Sequence, residues 1–467
     1  MCVREDFLQF VPVYNLTGKN LANVLTESLE GYGINLQYLR GQGYDGAAAM
    51  SGRFKGVQSH ISKEYPNAPY VHCAAHSLNL AVSGSCNERP IKNCMGTIES
   101  VYSFLNTAKR QAVLKESVET MKAGSPKPRV EKLKQLCHTR WIARHDSVLT
   151  FLELLLPVVD SLESISEWED RVSATNASQL LCAIRHSEFI VSLHVIAEVF
   201  SKSLPLCRDL QKEATDLAAA MSSAQILVQA LVEMRSKADI DFNDIFLRAT
   251  KTCDAIGVTI NLPRLAGRQA QRCNVQTNSP EEFFRIAVFL PFVDHFLSEL
   301  NSRFLSHKTL LTSFMCLLPS EESLKVSARP SREQLTQLET LVDKYSFDVG
   351  THHLGAKGEL EIWYRVVSQL ENKPKNALEA LIRCDPIDLP SIHTLLKLLA
   401  TLPVSTSSSE RSFSTMKRIK TYLRNTMGQD RLNGLALLNI HREISINTDE
   451  ILSRLAEEAP RRINLRI

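Results

Sequence analysis

The spacing of apolar residues changes near residue 90, and this change limits the possible folds more than any single motif does. Before it, short apolar runs alternate with helical segments, which is typical of an α/β layer. The predicted strands are residues 7–13, 34–40 and 70–73, and the predicted helices are residues 18–31 and 46–63. From about residue 90 to 370, apolar residues recur with the period of long amphipathic helices. We therefore expect an α/β part joined to a large all-α part, in a chain that is mostly helical overall.

The composition agrees with a globular protein of two or three domains, because 44% of its 467 residues are apolar and 22% are charged. Lys and Arg number 54 against 51 Asp and Glu, so net charge alone does not predict binding to nucleic acid. The 11 cysteines form no C-x-x-C pair, and no signal peptide is evident, which predicts a reduced, intracellular protein with free thiols. We expect no apolar run as long as a membrane span.

The loop GQGYDG at residues 41–46 has the G-x-G-x-x-G spacing of a dinucleotide-binding loop. Such a site also needs an acidic residue at the tip of the second strand, but that strand ends at Cys73. We therefore expect no pyrophosphate site here. On local grounds, Asp45 caps the following helix, and Gly41 and Gly43 make the turn.

Cys73 and His76 form a C-x-x-H pair, and a zinc site would need two more ligands nearby. Cys86 and Cys94 are candidates, but their spacing fits no familiar zinc module. We favour a buried thiol with a histidine one turn further along the helix.

Four motifs occur in a fixed order: RGQGYDGAAAMSG, VHCAAHSLNLAV, LCHTRWIARHDSV and TLPVSTSSSERSFS. In this order they resemble the hAT family of DNA transposases, and above all the domesticated animal relatives that include MYM-type zinc-finger proteins. The resemblance covers nearly the whole chain and is strongest at residues 39–83, 136–149 and 390–443. It implies an RNase H-like fold that is interrupted by a large helical insertion and followed by a helical dimerisation segment.

The resemblance also implies a division of the chain. The expected parts are an RNase H-like, DUF4371-like region at 1–150, a helical insertion at 151–380, a hAT-type dimerisation region at 381–445 and a tail at 446–467. The RNase H-like fold is expected to be incomplete, because residues 7–13 match its third strand and the chain starts after the first two.

Family members use three carboxylates to hold two divalent cations, which clamp the reacting oxygens of a phosphoryl transfer. By resemblance Asp45 matches the second acid and Glu410 the third, so we expect the two to lie close together. The first acid belongs to a missing strand, and Glu5 and Asp6 do not match its position. We also expect this chain to lack the zinc-finger DNA-binding module that the resemblance implies for relatives. We expect no cofactor, with Mg²⁺ or Mn²⁺ bound only if a longer form completes the site.

Each remaining candidate residue has two interpretations. Glu410 and Ser407 also fit a capping box of the helix that follows. The resemblance makes His76, Arg140, Trp141 and Arg411 candidates for contact with DNA, although a lone Trp is usually part of a core. Arg411, Lys417, Arg418, Lys420 and Arg424 form either a solvated helix face or a patch for DNA contact or nuclear import.

Three predicted C-terminal helices carry more apolar residues than a short hairpin can bury. The proposed interface residues are Leu395, Leu396, Leu398, Leu399, Phe413, Met416, Leu435 and Leu438. They pack either against the chain's own core or against a partner. By resemblance we expect a homodimer, or a dimer with a related hAT-type protein.

The leading hypothesis is a domesticated or truncated, non-catalytic transposase-derived protein with dimerisation activity. One alternative is a fragment of a metal-dependent DNA transposase, and another is a transcriptional adaptor that acts through protein contacts. We expect at most weak DNA binding, no membrane and no small-molecule substrate. The resemblance implies a nuclear location, and otherwise the protein is expected in the cytoplasm.

Overall fold

The computed structural model describes residues 3–122, 130–136, 141–211, 216–262, 275–421 and 426–457. The strands are β1 (Gln42–Tyr44) and β2 (Tyr70–His72). The helices up to residue 122 are α1 (Gly18–Gly31), α2 (Ala48–Ser51), α3 (Val57–Glu64), α4 (Ala74–Ser85), α5 (Arg89–Leu105) and α6 (Ala108–Lys122). The next are α7 (Trp141–Glu153), α8 (Leu155–Ser166), α9 (Arg171–Ile184), α10 (Ser187–Asp209), α11 (Leu217–Ser236) and α12 (Ala238–Ala255).

The remaining helices lie after residue 279. They are α13 (Pro280–Phe284), α14 (Leu290–Phe314), α15 (Glu321–Val326), α16 (Arg332–Lys344), α17 (Ser346–Val349), α18 (His353–Gln369), α19 (Ala377–Arg383), α20 (Pro390–Thr401), α21 (Ser407–Ile419), α22 (Gln429–Ile440) and α23 (Thr448–Glu457). The chain divides into two compact units, the first of residues 1–3 and 17–405, the second of residues 4–16 and 406–467. The expectation of a mostly helical chain is confirmed.

The α/β part of the first unit is a β-α-β arrangement with parallel strands. Gln42 lies opposite Tyr70 and Tyr44 lies opposite His72. Between the strands the chain forms α2 and α3, so the single helix predicted at 46–63 is interrupted by a turn at residues 52–56. The predicted helix at 18–31 and the passage from strand to helix after residue 70 are both confirmed.

The strand predicted at residues 34–40 is wrong, because β1 begins only at Gln42. The Asn35 side chain accepts a hydrogen bond from the Gln37 N–H and starts a 3₁₀ turn at Leu36–Tyr38. The Arg40 guanidinium then donates two hydrogen bonds, of 2.7 and 2.8 Å, to the Asp348 carboxylate. These contacts hold the segment outside the sheet.

Two helices organise the helical core of the first unit. The long helix α14 packs along α4, and α10 packs against α5, α7, α11 and α12. The expectation that no apolar run approaches a membrane span needs correction. By length and composition alone, α10 and α11 among the described residues could cross a membrane. In α10, 72% of the most apolar window is buried, and in α11 44% is buried. A buried core helix passes the same test, so these helices give only weak support for a membrane protein.

The strand predicted at residues 7–13 is also wrong, since this segment is an extended arm in the second unit. The Phe10 N–H donates to Asn433 Oδ1 at 2.9 Å, and Asn433 Nδ2 donates to the Phe10 carbonyl oxygen at 3.3 Å. Gln429 donates to the same carbonyl, and His441 Nε2 lies 2.9 Å from the Phe7 carbonyl oxygen. Side chains of α22 and the following turn therefore bind the backbone groups that a neighbouring strand would otherwise bind.

Candidate functional site

Three polar residues gather where the two strands end in the first unit. Asp45 follows β1, His72 ends β2, and His76 lies in the first turn of α4. The two imidazole rings are 5.6 Å apart between centroids. A Cβ atom added to Gly46 would lie 3.1 Å from His72 Nε2 and 3.0 Å from His76 Nε2, so both nitrogens face the loop that carries Asp45.

The His72 ring is held in place by its other nitrogen, since Nδ1 lies 2.6 Å from Ser77 Oγ. Burial lowers the pKa of His72, and the charge of His76 lowers it further, while Asp45 acts in the opposite direction. Burial, followed by the charge of Asp45, raises the pKa of Tyr70 to about 12. His72 is therefore favoured as the neutral imidazole at neutral pH.

Asp45 makes a local turn and is not the helix cap that the sequence predicts. Its Oδ1 accepts a hydrogen bond from the Ala47 N–H at 3.1 Å. Ala47 itself is the residue that precedes the first turn of α2. The Asp45 side chain is exposed beside the two histidines.

The close approach of Pro403 explains why positions 41 and 43 of the GQGYDG loop are glycine. A Cβ atom on Gly41 would lie 2.8 Å from Pro403 Cδ, and one on Gly43 would lie 2.7 Å from Pro403 Cβ. The Ala74 N–H donates to the Val404 carbonyl oxygen at 2.8 Å, which fixes this segment against the start of α4. The glycines allow this close approach of two chain segments, an interaction that the sequence alone does not reveal.

Cys73 behaves as the buried thiol that we favoured. Its Sγ accepts a hydrogen bond from the His76 N–H at 3.4 Å and caps α4. In the part of the chain that the structure describes, no group of three or more His, Cys, Asp or Glu side chains is arranged to hold a metal ion. Mg²⁺ and Mn²⁺ prefer oxygen ligands, so the one carboxylate and two imidazoles around Gly46 do not fit them.

Glu410 lies in the first turn of α21, in the second unit. Thr406 is the residue before the helix and Ser407 is its first residue, so the predicted capping box is wrong. Glu410 is exposed, and its N–H donates to the Thr406 carbonyl oxygen at 3.0 Å. The expected proximity of Glu410 to Asp45 stays a prediction, since the two acids belong to different units.

The candidate DNA contacts are only partly described. Arg411 is exposed, and its Nη2 donates to Ser408 Oγ at 2.8 Å. Arg140 and Arg424 lie outside the described residues, and Trp141 begins α7 with a side chain that is not described. His76 faces the loop after β1. A DNA-binding role for these residues stays a prediction.

The eight proposed interface residues fall into two groups. Leu395, Leu396, Leu398 and Leu399 of α20 are all buried in the core of the first unit. Of the two alternatives left open, these four leucines take the first, since they close the core of their own chain, and their assignment to an exposed interface is corrected. Phe413 is 54% and Leu438 56% exposed, whereas Met416 and Leu435 are half-buried.

Sequence reasoning missed several residues. His72 stands at the end of a predicted strand beside the C-x-x-H pair, and that position was the available signal. The aromatic spacing of Phe7 and Phe10 was interpreted as a strand. The apolar stripe of α23 went unnoticed because its segment was assigned to a tail.

Comparison with known proteins agrees with the motif pattern. Residues 1–56 match the DUF4371 family, described as a ZMYM1/FAM200, RNase-like domain, and residues 384–444 match the hAT family C-terminal dimerisation region. The 52 kDa repressor of the inhibitor of the protein kinase from Mus musculus is 30% identical over 458 residues. Its counterpart from Homo sapiens is 29% identical over the same length. Each alignment covers 96% of this chain, which spans 59% of the length of the curated relative.

Proposed function

Because this chain is a hAT-derived protein, we propose that it is a non-catalytic protein that self-associates through its second compact unit. The matched dimerisation region includes α21 and α22 of that unit. The observation that carries the proposal is the imbalance between buried and exposed apolar residues there.

The core of the second unit is small, with Phe10, Leu432 and Ala436 as its buried apolar residues. Against this, Phe413, Leu437 and Leu438 are exposed on the same two helices. Apolar residues that are exposed together often mark an interface. A second copy of the same surface would cover them, as in the symmetric interfaces of most homo-oligomers.

Self-association is tested by light scattering on the purified full chain at micromolar concentrations. We expect a dimer for the wild type and a monomer for Leu438→Asp with Leu435→Asp. Leu354→Asp replaces a leucine of the first unit that is 74% exposed, against 56% for Leu438, and should remain dimeric. A monomeric wild type would contradict the proposal.

The non-catalytic character rests on the ligand set. The side chains beside Asp45 are the imidazoles of His72 and His76, which suit a hard divalent cation such as Mg²⁺ poorly. Supercoiled DNA should therefore stay intact when the chain is incubated with Mg²⁺ or Mn²⁺. Nicking that disappears in Asp45→Asn would support the alternative of a metal-dependent DNA transposase fragment.

A role in the nucleus is the second candidate, and it is supported by the relatives, which are named as a repressor. Acting as an adaptor, the chain would reach its targets through protein contacts. The exposed Lys417, Arg418 and Lys420 at the end of α21 are the described candidates for an import patch. Loss of nuclear fluorescence in the triple Gln variant of a tagged chain would support this role, and a cytoplasmic wild type would exclude it.

A further inference from the structure

Helix α23 is an ordered amphipathic element that begins four residues after the matched dimerisation region ends at residue 444. Asn447 Oδ1 accepts hydrogen bonds from the Asp449 N–H at 3.1 Å and the Glu450 N–H at 3.5 Å. Arg454 Nη2 lies 2.8 Å from Glu450 Oε1 one turn earlier. The capping residue and the ion pair both favour a helix that starts at this position.

The apolar side of α23 is only partly covered. Ile451, Leu452 and Leu455 lie on neighbouring positions of one helix face, and they are 46%, 41% and 37% exposed. None of them belongs to the core cluster of the second unit. An amphipathic helix of this length gains most of its stability by packing its apolar face.

The surface that suits this face lies on α21 and α22. One side of α22 is already covered, because Leu432 and Ala436 pack with Phe10 of the arm. The exposed Leu437 and Leu438 therefore lie on parts of α22 that this packing leaves open. Phe413 of α21 contacts the arm, with its ring 5.5 Å from that of Phe10 between centroids, and is still 54% exposed. Leu437, Leu438 and the exposed part of Phe413 are side chains that a further apolar helix would bury.

The charges of the two surfaces are complementary. The N-terminal half of α23 carries Asp449 and Glu450. Helix α21 carries one acid, Glu410, and three basic residues, Arg411, Lys417 and Arg418, and Lys420 follows its last residue. Opposite charges on two docking surfaces raise the rate of association and favour one relative orientation of the partners.

We infer that α23 of one copy docks on the α21–α22 surface of the second copy, so that the dimer interface extends beyond the matched region. This inference rests on the proposed self-association. In a symmetric pair the contact occurs twice, with the α23 stripe of each copy over Leu437, Leu438 and Phe413 of the other.

The first test measures the dimer dissociation constant of the full chain by sedimentation equilibrium. Ile451→Asp with Leu455→Asp should weaken the dimer by about 100-fold or more, because buried apolar anchors carry most of the binding energy of an interface. Leu354→Asp is the control, and far-UV circular dichroism verifies that each variant is folded. Ile451→Ser with Leu455→Ser, which adds no charge, should weaken the dimer by about tenfold.

The outcomes distinguish failure of this inference from failure of the proposed self-association. A monomeric wild type overturns the proposed function together with the inference. A dimeric wild type whose dissociation constant is unchanged in both α23 variants overturns the inference alone.

A mixing experiment distinguishes docking between copies from docking within one copy. A Leu438→Asp chain has an intact α23, and an Ile451→Asp/Leu455→Asp chain has an intact α22. If α23 docks across the dimer, the mixture restores one of the two contacts, and a mixed dimer forms more tightly than either homodimer. If the mixed dimer is no tighter than the two variant homodimers, α23 packs within its own chain and the inference is wrong.

Discussion

At the scale of single residues, Pro403 determines which side chains the loop at residues 41–46 can carry. Gly41 and Gly43 both face this proline ring at distances that exclude a Cβ atom. The G-x-G spacing, which is typical of phosphate-binding loops, therefore has a packing cause in this chain. Asp45 and Gly46 follow directly, so the same contact also positions the residues that face His72 and His76.

Gly43→Ala should lower the free energy of unfolding by about 1–3 kcal/mol, because the proline ring cannot move away as a flexible side chain could. Chemical denaturation measures this change. Gly96→Ala is the matched control, since its Cβ would meet open space on α5 and should raise stability by up to about 1 kcal/mol. Adding Pro403→Gly, which removes the Cβ atom that the new side chain would meet, should recover part of the loss, and a strictly additive double variant would show that the two residues do not interact.

His194 makes the stability of the first unit depend on pH. Its Nε2 lies 2.9 Å from Thr252 Oγ1, and burial, with a smaller effect of the Arg248 charge, lowers the pKa of His194 to about 4 from an ordinary value of 6.5. Between these values the unfolded chain binds more protons than the folded one. The stabilisation is therefore complete above pH 6.5 and is lost as the pH falls towards 4, by up to about 3 kcal/mol.

His194→Gln should flatten this part of the curve of unfolding free energy against pH. His186→Gln, at an exposed position just before the same helix, is the control. An equal slope for wild type and His194→Gln between pH 6.5 and 4 would contradict the assignment.

At the scale of elements, the arm at Arg4–Leu16 shows how a strand-like sequence can fold without a sheet. The Phe7 and Phe10 rings are 4.7 Å apart and Phe10 belongs to a core, whereas residues three apart on a strand would point to opposite faces. The backbone partners of the arm are side chains of α22. Local sequence sets the extended form, while the partner comes from a segment more than 400 residues away.

Asn433→Ala should loosen the arm at Phe10, because it removes two of the three side-chain hydrogen bonds to the Phe10 backbone and leaves the one from Gln429. Each such bond contributes about 1 kcal/mol, so the Phe10 amide should exchange with solvent about tenfold faster or more. Hydrogen exchange measured peptide by peptide tests this. Leu8→Ala, at an exposed position of the same arm, should leave the exchange unchanged, and equal protection in Asn433→Ala would refute the proposed attachment.

At the scale of the whole molecule, the family assignment still predicts that Asp45 and Glu410 lie close together. The resemblance to hAT transposases implies that the two acids would hold one pair of cations, and such cations are about 3.5–4 Å apart in two-metal sites. In a background without other reactive thiols, Asp45→Cys with Glu410→Cys should be joined in high yield by a short bis-maleimide reagent. Asp45→Cys with Asp449→Cys serves as the comparison, and equal yields for both pairs would contradict the shared site.

The sequence by itself determined the order of the motifs, the change from alternating elements to long helices, α1, and the passage from β2 into α4. These features depend on residues close together in the chain, where periodicity reports which face of an element is buried. The sequence alone could not determine which other segment covers the buried face of each element. The leucines of α20 and those of α22 look alike in the sequence, yet the former close the core and Leu438 stays exposed. Likewise, the need for glycine at position 43 comes from Pro403, and the backbone of Phe10 finds its hydrogen-bond partner in Asn433. Such contacts between distant segments form only when the chain folds.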